Sequence, residues 1–388
     1  MKRIPLIILC IALFAGCTTE TEQSPPDALA SVDTTTSAAP SLSITPAPVE
    51  TLDATPACDG LGRPRPRGEI TFVRDDHLVA VTPGGEHERC LADLSRSGVS
   101  VEPGYVAWNG PADRVIVGDR ALSKDLAETI ELAPATSGPP LWSRPNGTSV
   151  IYVTRDGRLM KRSSFGGAAT DISFLARHDD VTYHPAGQHI ATSGLAEDDS
   201  YGLYLATNVG AEEKLLARGE AARFIRDLEF SQDGLYLYYN ARHGPKNWHL
   251  HRLRIGEDAR LETLDKGDFA SRYSVAPFQP DLYAWFSPGD CGAGVPGTLH
   301  VPRYFEDRLN IPDHLTEQNL EPVGWLLNAG LVVRAAPAGC SATLPGDVYI
   351  LSKKAPVLIE RDIGLSVGVR VKMPPPPPPP GEEQEVVA

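Results

Sequence analysis

Methionine and basic charge are scarce in this chain. Only three Met occur in 388 residues, and 36 Lys and Arg face 50 Asp and Glu, for a net charge of −14. Phosphate recognition needs clustered cations, so this balance argues against nucleic acid as a partner. The leading apolar stretch, Ile4 to Phe14, falls short of the ~20 residues that a membrane-spanning helix needs. The cysteines come without CxxC or HxxxH spacing, so neither a metal nor any other cofactor is expected. Gly and Pro, by contrast, number 35 each, and 41% of residues are hydrophobic. Turn formers at that density beside ample core material describe short strands joined by tight turns, not a helix bundle. At ~100 to 200 residues per domain the length allows two or three domains, or one large all-β unit. The segments below favour one.

Residues 1–16 are expected to be a targeting signal, with Lys2 and Arg3 as a basic region ahead of the apolar stretch. Leu13-Phe14-Ala15-Gly16-Cys17 resembles the bacterial lipobox, with Phe14 where Leu is usual. The resemblance implies cleavage before Cys17, which then carries the membrane anchor as acyl chains of the palmitate type. Thr18 lies where an Asp would signal inner-membrane retention, so the implied address is the outer membrane, facing the periplasm or the cell surface. An ordinary secretory signal with an incidental Cys is the alternative.

The lipidated Cys17 leads a tether over residues 17–57. Residues 18–57 hold nine Thr, five Ser, six Pro and seven Ala, with six acids and no Lys or Arg. Such a segment cannot bury enough apolar surface to offset its ordering entropy, so disorder is expected, with a reach of roughly 35 Å. At the other end, residues 374–388 begin with seven consecutive Pro, a polyproline II rod of ~22 Å, and end acidic. This tail is either a docking peptide or a solvated end. Setting aside Lys2, Arg3, the six acids of the tether and the three of the tail leaves about −7 for residues 58–373, so the expected folded body is only mildly acidic.

That body repeats. Leu228-Glu229-Phe230-Ser231-Gln232-Asp233-Gly234 precedes the strand-like Leu235 to Tyr239, and similar copies begin at Leu141 and Val181, with weaker ones at Trp108, Phe278 and Trp325. The anchoring aromatics Trp108, Trp142, Tyr183, Phe230, Phe278 and Trp325 are 34, 41, 47, 48 and 47 residues apart, close to the ~40 to 50 of a four-stranded propeller blade. Asp-Gly or Pro-Asn-Gly at a fixed offset supplies the positive φ that a hairpin needs. A further unit, Ile70 to Val73 and Leu78 to Val81, precedes Trp108 without a clear first strand, and Leu365 to Lys372 is a spare strand at the end. Pairing these two ends would close the ring and remove free edges. The expected fold is an all-β propeller of four-stranded blades, seven by this spacing, with six as the alternative.

The aromatic-Ser-x-Asp-Gly repeat, clearest at Phe230 to Gly234, resembles the TolB-like propeller repeat and is similar to the propellers that precede hydrolase domains in prolyl-peptidase relatives. The resemblance covers roughly residues 68–373 and implies a propeller. TolB carries a small α/β domain ahead of its ring, where this chain has the tether, so a TolB role is not implied.

Four cysteines remain in the mature body. In an exported chain they suggest two disulfides, expected as Cys58 with Cys90, tying the start of the domain to the fourth strand of blade one, and Cys291 with Cys340, in corresponding loops of neighbouring blades. Catalytic signals are poor. Gly364-Leu365-Ser366-Val367-Gly368 matches GxSxG, but no His or Asp follows Ser366, so a strand is expected there and not a nucleophile elbow. His249 and His251 share a strand face by two-residue alternation and are expected to be exposed, without a third ligand and without metal. No catalytic residue is expected.

The function expected is therefore a lipid-anchored binding scaffold without turnover, taking an envelope protein or polymer on its loops. Arg242 to Trp248 and Pro302 to Asn319 are the irregular segments, and Trp248, Tyr304 and Phe305 are the side chains expected to contact a partner. The alternative is a propeller enzyme of lyase, lactonase or glycosidase type, which would gather His, Asp, Glu or Arg at the channel.

Overall fold

The computed structural model describes residues 58–95, 106–118, 120–123, 129–131, 139–218, 224–256, 259–279, 281–290, 293–328, 330–338 and 345–373. Cys17, the tether, the tail, Cys291 and Cys340 lie outside the described residues.

Seven antiparallel sheets form seven blades. Blade two holds Val106–Trp108, Val115–Val117, Arg120–Leu122 and Thr129–Glu131, and blade three Leu141–Trp142, Ser149–Val153, Leu159–Ser163 and Thr170–Asp171. Blade four holds Arg177–Tyr183, His189–Leu195, Tyr201–Thr207 and Lys214–Arg218, and blade five Ile225–Phe230, Tyr236–Gly244, Asn247–Arg254 and Leu261–Gly267. Blade six holds Arg272–Val275, Tyr283–Ser287 and Thr298–His300, and blade seven Gln318–Trp325, Leu331–Pro337, Gly346–Leu351 and Val357–Ile363. Blade one is built from both ends of the ring. Its innermost strand is Val367–Arg370, paired antiparallel with Glu69–Arg74, and His77–Val81 and Arg89–Asp93 follow. The closure expected from the spare terminal strand is the one observed.

Apolar residues alternate along the strands, so each blade offers a hydrophobic face to both neighbours. The buried side chains accordingly fall into seven clusters, one in each seam between successive blades, and not into one central core. Phe72 sits between blades one and seven, and Trp325 between blades six and seven. Truncating either to Ala would cost ~3–5 kcal/mol. The repeat's turn glycines answer to the same seams. Gly187 and Gly234 have φ of 78° and 72°, and a Cβ there would strike Arg144 and His184, each in the turn of the preceding blade. The Asp-Gly offset is thus fixed by turn conformation and by blade packing together.

Blade six departs from expectation. Its innermost strand ends at Val275, where the Ala276 N–H donates to Leu282 O at 2.8 Å, as the Ser231 N–H donates to Tyr236 O at 2.9 Å after Phe230. Val275, not Phe278, therefore occupies the anchor position, in the blade five and six seam; Phe278 lies in the turn, three residues further on, and packs on the blade six and seven seam. Among the described residues this blade has three strands. The segment expected as irregular contains two single-turn helices, Arg303–Glu306 and Asp313–Thr316. Pro302 and Pro312 stand just before them, where a missing N–H costs no helix bond.

Candidate functional site in the central channel

The innermost strands surround a cavity of about 850 Å³ whose charged border includes Arg144, Arg226, Asp227, Glu229, Arg272 and Glu321. Blade five contributes half of these charges, Arg226, Asp227 and Glu229. Its innermost strand is bulged between Arg226 and Glu229, and Asp227 sits in the left-handed region at φ 59°. Such backbone is uncommon for a residue with a side chain and tends to mark places where a strand re-aims one. The Asp227 carboxylate accepts from Asn240 Nδ2 at 3.0 Å and lies 3.3 Å from Arg226 Nε.

Asp180, on the bulged innermost strand of blade four, joins the two blades. Its carboxylate oxygens accept the N–H groups of Val181 and, across the seam, Leu228, at 2.8 and 3.1 Å. Burial and then the Asp227 charge push its pKa up to about 7. Burial likewise raises Glu229 to about 7, against the pull of Arg144. Glu321 is bound on both sides, 2.6 Å from Arg334 and 3.5 Å from Arg272. Of the two raised carboxyls, Glu229 borders the cavity beside Arg144, whereas Asp180 stands off that border, in the join between blades four and five.

At the blade-five rim, Trp248 borders the cavity and meets Phe224 edge to face at a centroid distance of 6.0 Å. The Arg226 guanidinium lies 4.6 Å from the Trp248 ring centre, and that of Arg242 lies 5.9 Å from it. Phe224 is exposed, as is Phe269 on the cavity border.

The three side chains expected at a partner surface are not brought together. Trp248 is half-buried at the rim. Tyr304 is 53% exposed on the first short helix, its hydroxyl donating to Asp281 O at 2.7 Å, and it is not part of the cavity border. Phe305 corrects the expectation. It is 1% exposed, because its helical turn aims the ring into the blade six and seven seam, edge-on to Trp325 at 5.5 Å.

Ser366 leads into the innermost strand of blade one, its carbonyl accepting the Val73 N–H at 3.1 Å, which is β-structure. Cys58 and Cys90 are joined in a disulfide. His251, expected to be exposed, is 5% exposed, packed beside Tyr239 with ring centres 5.2 Å apart. Burial, helped by His249 and His243, lowers its pKa to about 4.

Sequence reasoning missed the channel charges. The one visible signal was Arg226-Asp227 inside a strand of apolar alternation; the bulges that turn these side chains leave no mark in the sequence.

No family model matches the chain, and no curated protein matches it. Among solved structures it is similar to TolB from Acinetobacter baumannii, at 14% identity and TM-score 0.43 over 78% of this chain and 82% of that one. It is also similar to an oligogalacturonate lyase from Vibrio parahaemolyticus, at 10% identity and TM-score 0.45 over 72% of this chain and 84% of that one. At such distances nothing about activity or partner transfers.

Proposed function

We propose that the protein is a lipid-anchored propeller of the bacterial cell envelope that binds a protein partner at the blade-five rim of its channel. The observation that carries this reading is the contact of Trp248 and Phe224 with Arg226 and Arg242. Trp and Arg are the side chains on which interface energy concentrates, and a rigid blade presents them at little cost in ordering entropy. A protein is favoured over an envelope polymer because a sugar ring would stack on the Trp248 face that Arg226 occupies. The anchoring part rests on Leu13 to Cys17. Several acyl chains on Cys17 would make attachment stable where one would not, so Cys17→Ser should release the body from membranes or leave the precursor uncut. For binding, Trp248→Ala should lose crosslinks to its envelope partner with the melting temperature moved by no more than ~2–4 °C. Retained crosslinks would refute the site.

A second reading is favoured by one observation, the Glu229 carboxyl on the cavity border with Arg144, its pKa raised by burial to about 7. General acid–base chemistry needs groups of that kind. On this reading the purified body would turn over a sugar or lactone, and Glu229→Gln would abolish it.

A further inference from the structure

The second and third strands of blade five form a hairpin that carries three histidines with no part in the channel. Tyr239 pairs with His251 and Ala241 with His249, so the odd-numbered residues of both strands share one face, the face on which Tyr239 and Ala241 pack in the blade four and five seam. His243 continues that row two residues past Ala241, as the unopposed residue of a bulge between Arg242 and Gly244. One ligand nitrogen from each of His243, His249 and His251 lies within 4.8 Å of the others. His243 Nε2 and His251 Nε2 are 3.5 Å apart. Tetrahedral Zn–N bonds of ~2.0–2.1 Å separate neighbouring ligand nitrogens by roughly 3.3–3.4 Å, so this pair already stands near coordination spacing. A single imidazole–imidazole hydrogen bond would explain that pair, but not the convergence of a third ligand nitrogen, from His249, within 4.8 Å of both.

We infer that the blade-five hairpin binds a late first-row divalent cation of the Zn2+ type through His243, His249 and His251, with a fourth position open to solvent. Imidazole ligands suit that class of ion. The partners of the other ring nitrogens fit the same role. His251 Nδ1 lies 3.1 Å from Thr263 Oγ1, and when it donates there Nε2 keeps its lone pair toward His243. His249 Nε2 lies 3.0 Å from Asn247 Oδ1, which accepts its proton and leaves Nδ1 as the ligand atom. Orienting contacts of this kind accompany most histidine ligands. Exposure rises from buried His251 through half-buried His249 to exposed His243, which gives an ion a route from solvent. Lys266, across from His249 on the outer strand, is an opposing charge that weakens the site without filling it. This inference departs from the expectation of no metal and is independent of the partner-binding reading.

The experiment is calorimetric titration of the mature chain, disulfides intact, with Zn2+, in parallel with His243→Ala, His249→Ala and Thr263→Val. The wild type should take up one saturable ion per chain and melt at higher temperature with zinc present. Both histidine variants should lose the binding and the zinc-dependent shift. His243→Ala should melt like the metal-free wild type, since its side chain is exposed. Thr263→Val should bind roughly 10-fold more weakly or worse, through a misoriented His251. No saturable binding by the wild type, or binding by His243→Ala and His249→Ala as tight as wild type, would overturn the inference.

Discussion

Arg370 and Glu69 stand directly opposite each other across the two strands that close the ring, and their side chains pair at 3.1 Å while 0% and 2% exposed. The same guanidinium donates to Ala112 O at 3.0 and 2.8 Å and to Gly62 O at 2.7 Å, and lies 4.2 Å from the Trp108 ring centre. Glu69 also holds Arg89 at 2.9 Å. Chain segments about 300 residues apart are thus locked by one buried, hydrogen-bonded ion pair. Burial lowers the Arg370 pKa to about 10 although Glu69 opposes the shift, so the cation depends on its partners.

Removing one member of such a pair leaves an uncompensated buried charge, at a cost of ~3–5 kcal/mol. Glu69→Gln should lose about that much in urea unfolding, and a loss below ~1 kcal/mol would show that the clasp does not hold the ring closed.

Glu229 gives a pH prediction. Its folded pKa near 7 exceeds the ~4.3 of an unfolded chain, so across that interval the folded state binds the extra proton and stability falls as pH rises. His178 and His251, both lowered to about 4, act in the opposite sense, raising stability as pH climbs toward the ordinary histidine range. They are common to wild type and variant, so the comparison isolates the carboxyl. Glu229→Gln, which keeps an oxygen acceptor, should lose less stability than wild type between about pH 5 and 8 in thermal melts. Parallel profiles would remove the shift and with it the support for a channel acid.

The Cys58–Cys90 bond spans 32 residues. On the chain-entropy argument its loss should cost about 3.7 kcal/mol, measurable by unfolding Cys58→Ser/Cys90→Ser against wild type. Cys291 and Cys340 are proposed to form the second bridge. Non-reducing peptide mapping should recover that pair, and a Cys90–Cys340 peptide would contradict both assignments.

Blade number and closure were legible because the repeat is read out by contacts that recur at the same place. Trp142 Nε1 donates to Ala107 O at 2.9 Å, and Trp325 Nε1 to Ser274 O at 3.2 Å. Ala107 and Ser274 each stand one residue before the anchor position of the preceding blade, so an indole at blade period reports a seam. The same logic misplaced the blade-six anchor, since the anchor Val275 is not aromatic and the nearest aromatic, Phe278, lies in the turn and packs on the following seam. Phe305 misled for a related reason, its burial depending on a helical turn inside a segment without repeat signal. The channel was legible only as Arg226-Asp227 inside an apolar strand. Arg144, Asp180 and Asp227 come from the successive blades three, four and five, and the two Asp are aimed by bulges that alternation does not encode. His243 escaped notice in the same way, as the unopposed residue of a bulge.

The central claim is that a protein partner docks at the blade-five rim, and in vivo photocrosslinking tests it most directly. A photoreactive residue is placed at Phe224 beside Trp248, at Phe269 on the cavity border, or at Phe165, which is 65% exposed on blade three and away from that border. The account predicts a discrete envelope adduct from positions 224 and 269, lost on Trp248→Ala, and none from position 165. Adducts of equal yield from position 165, or none from the rim, would contradict it.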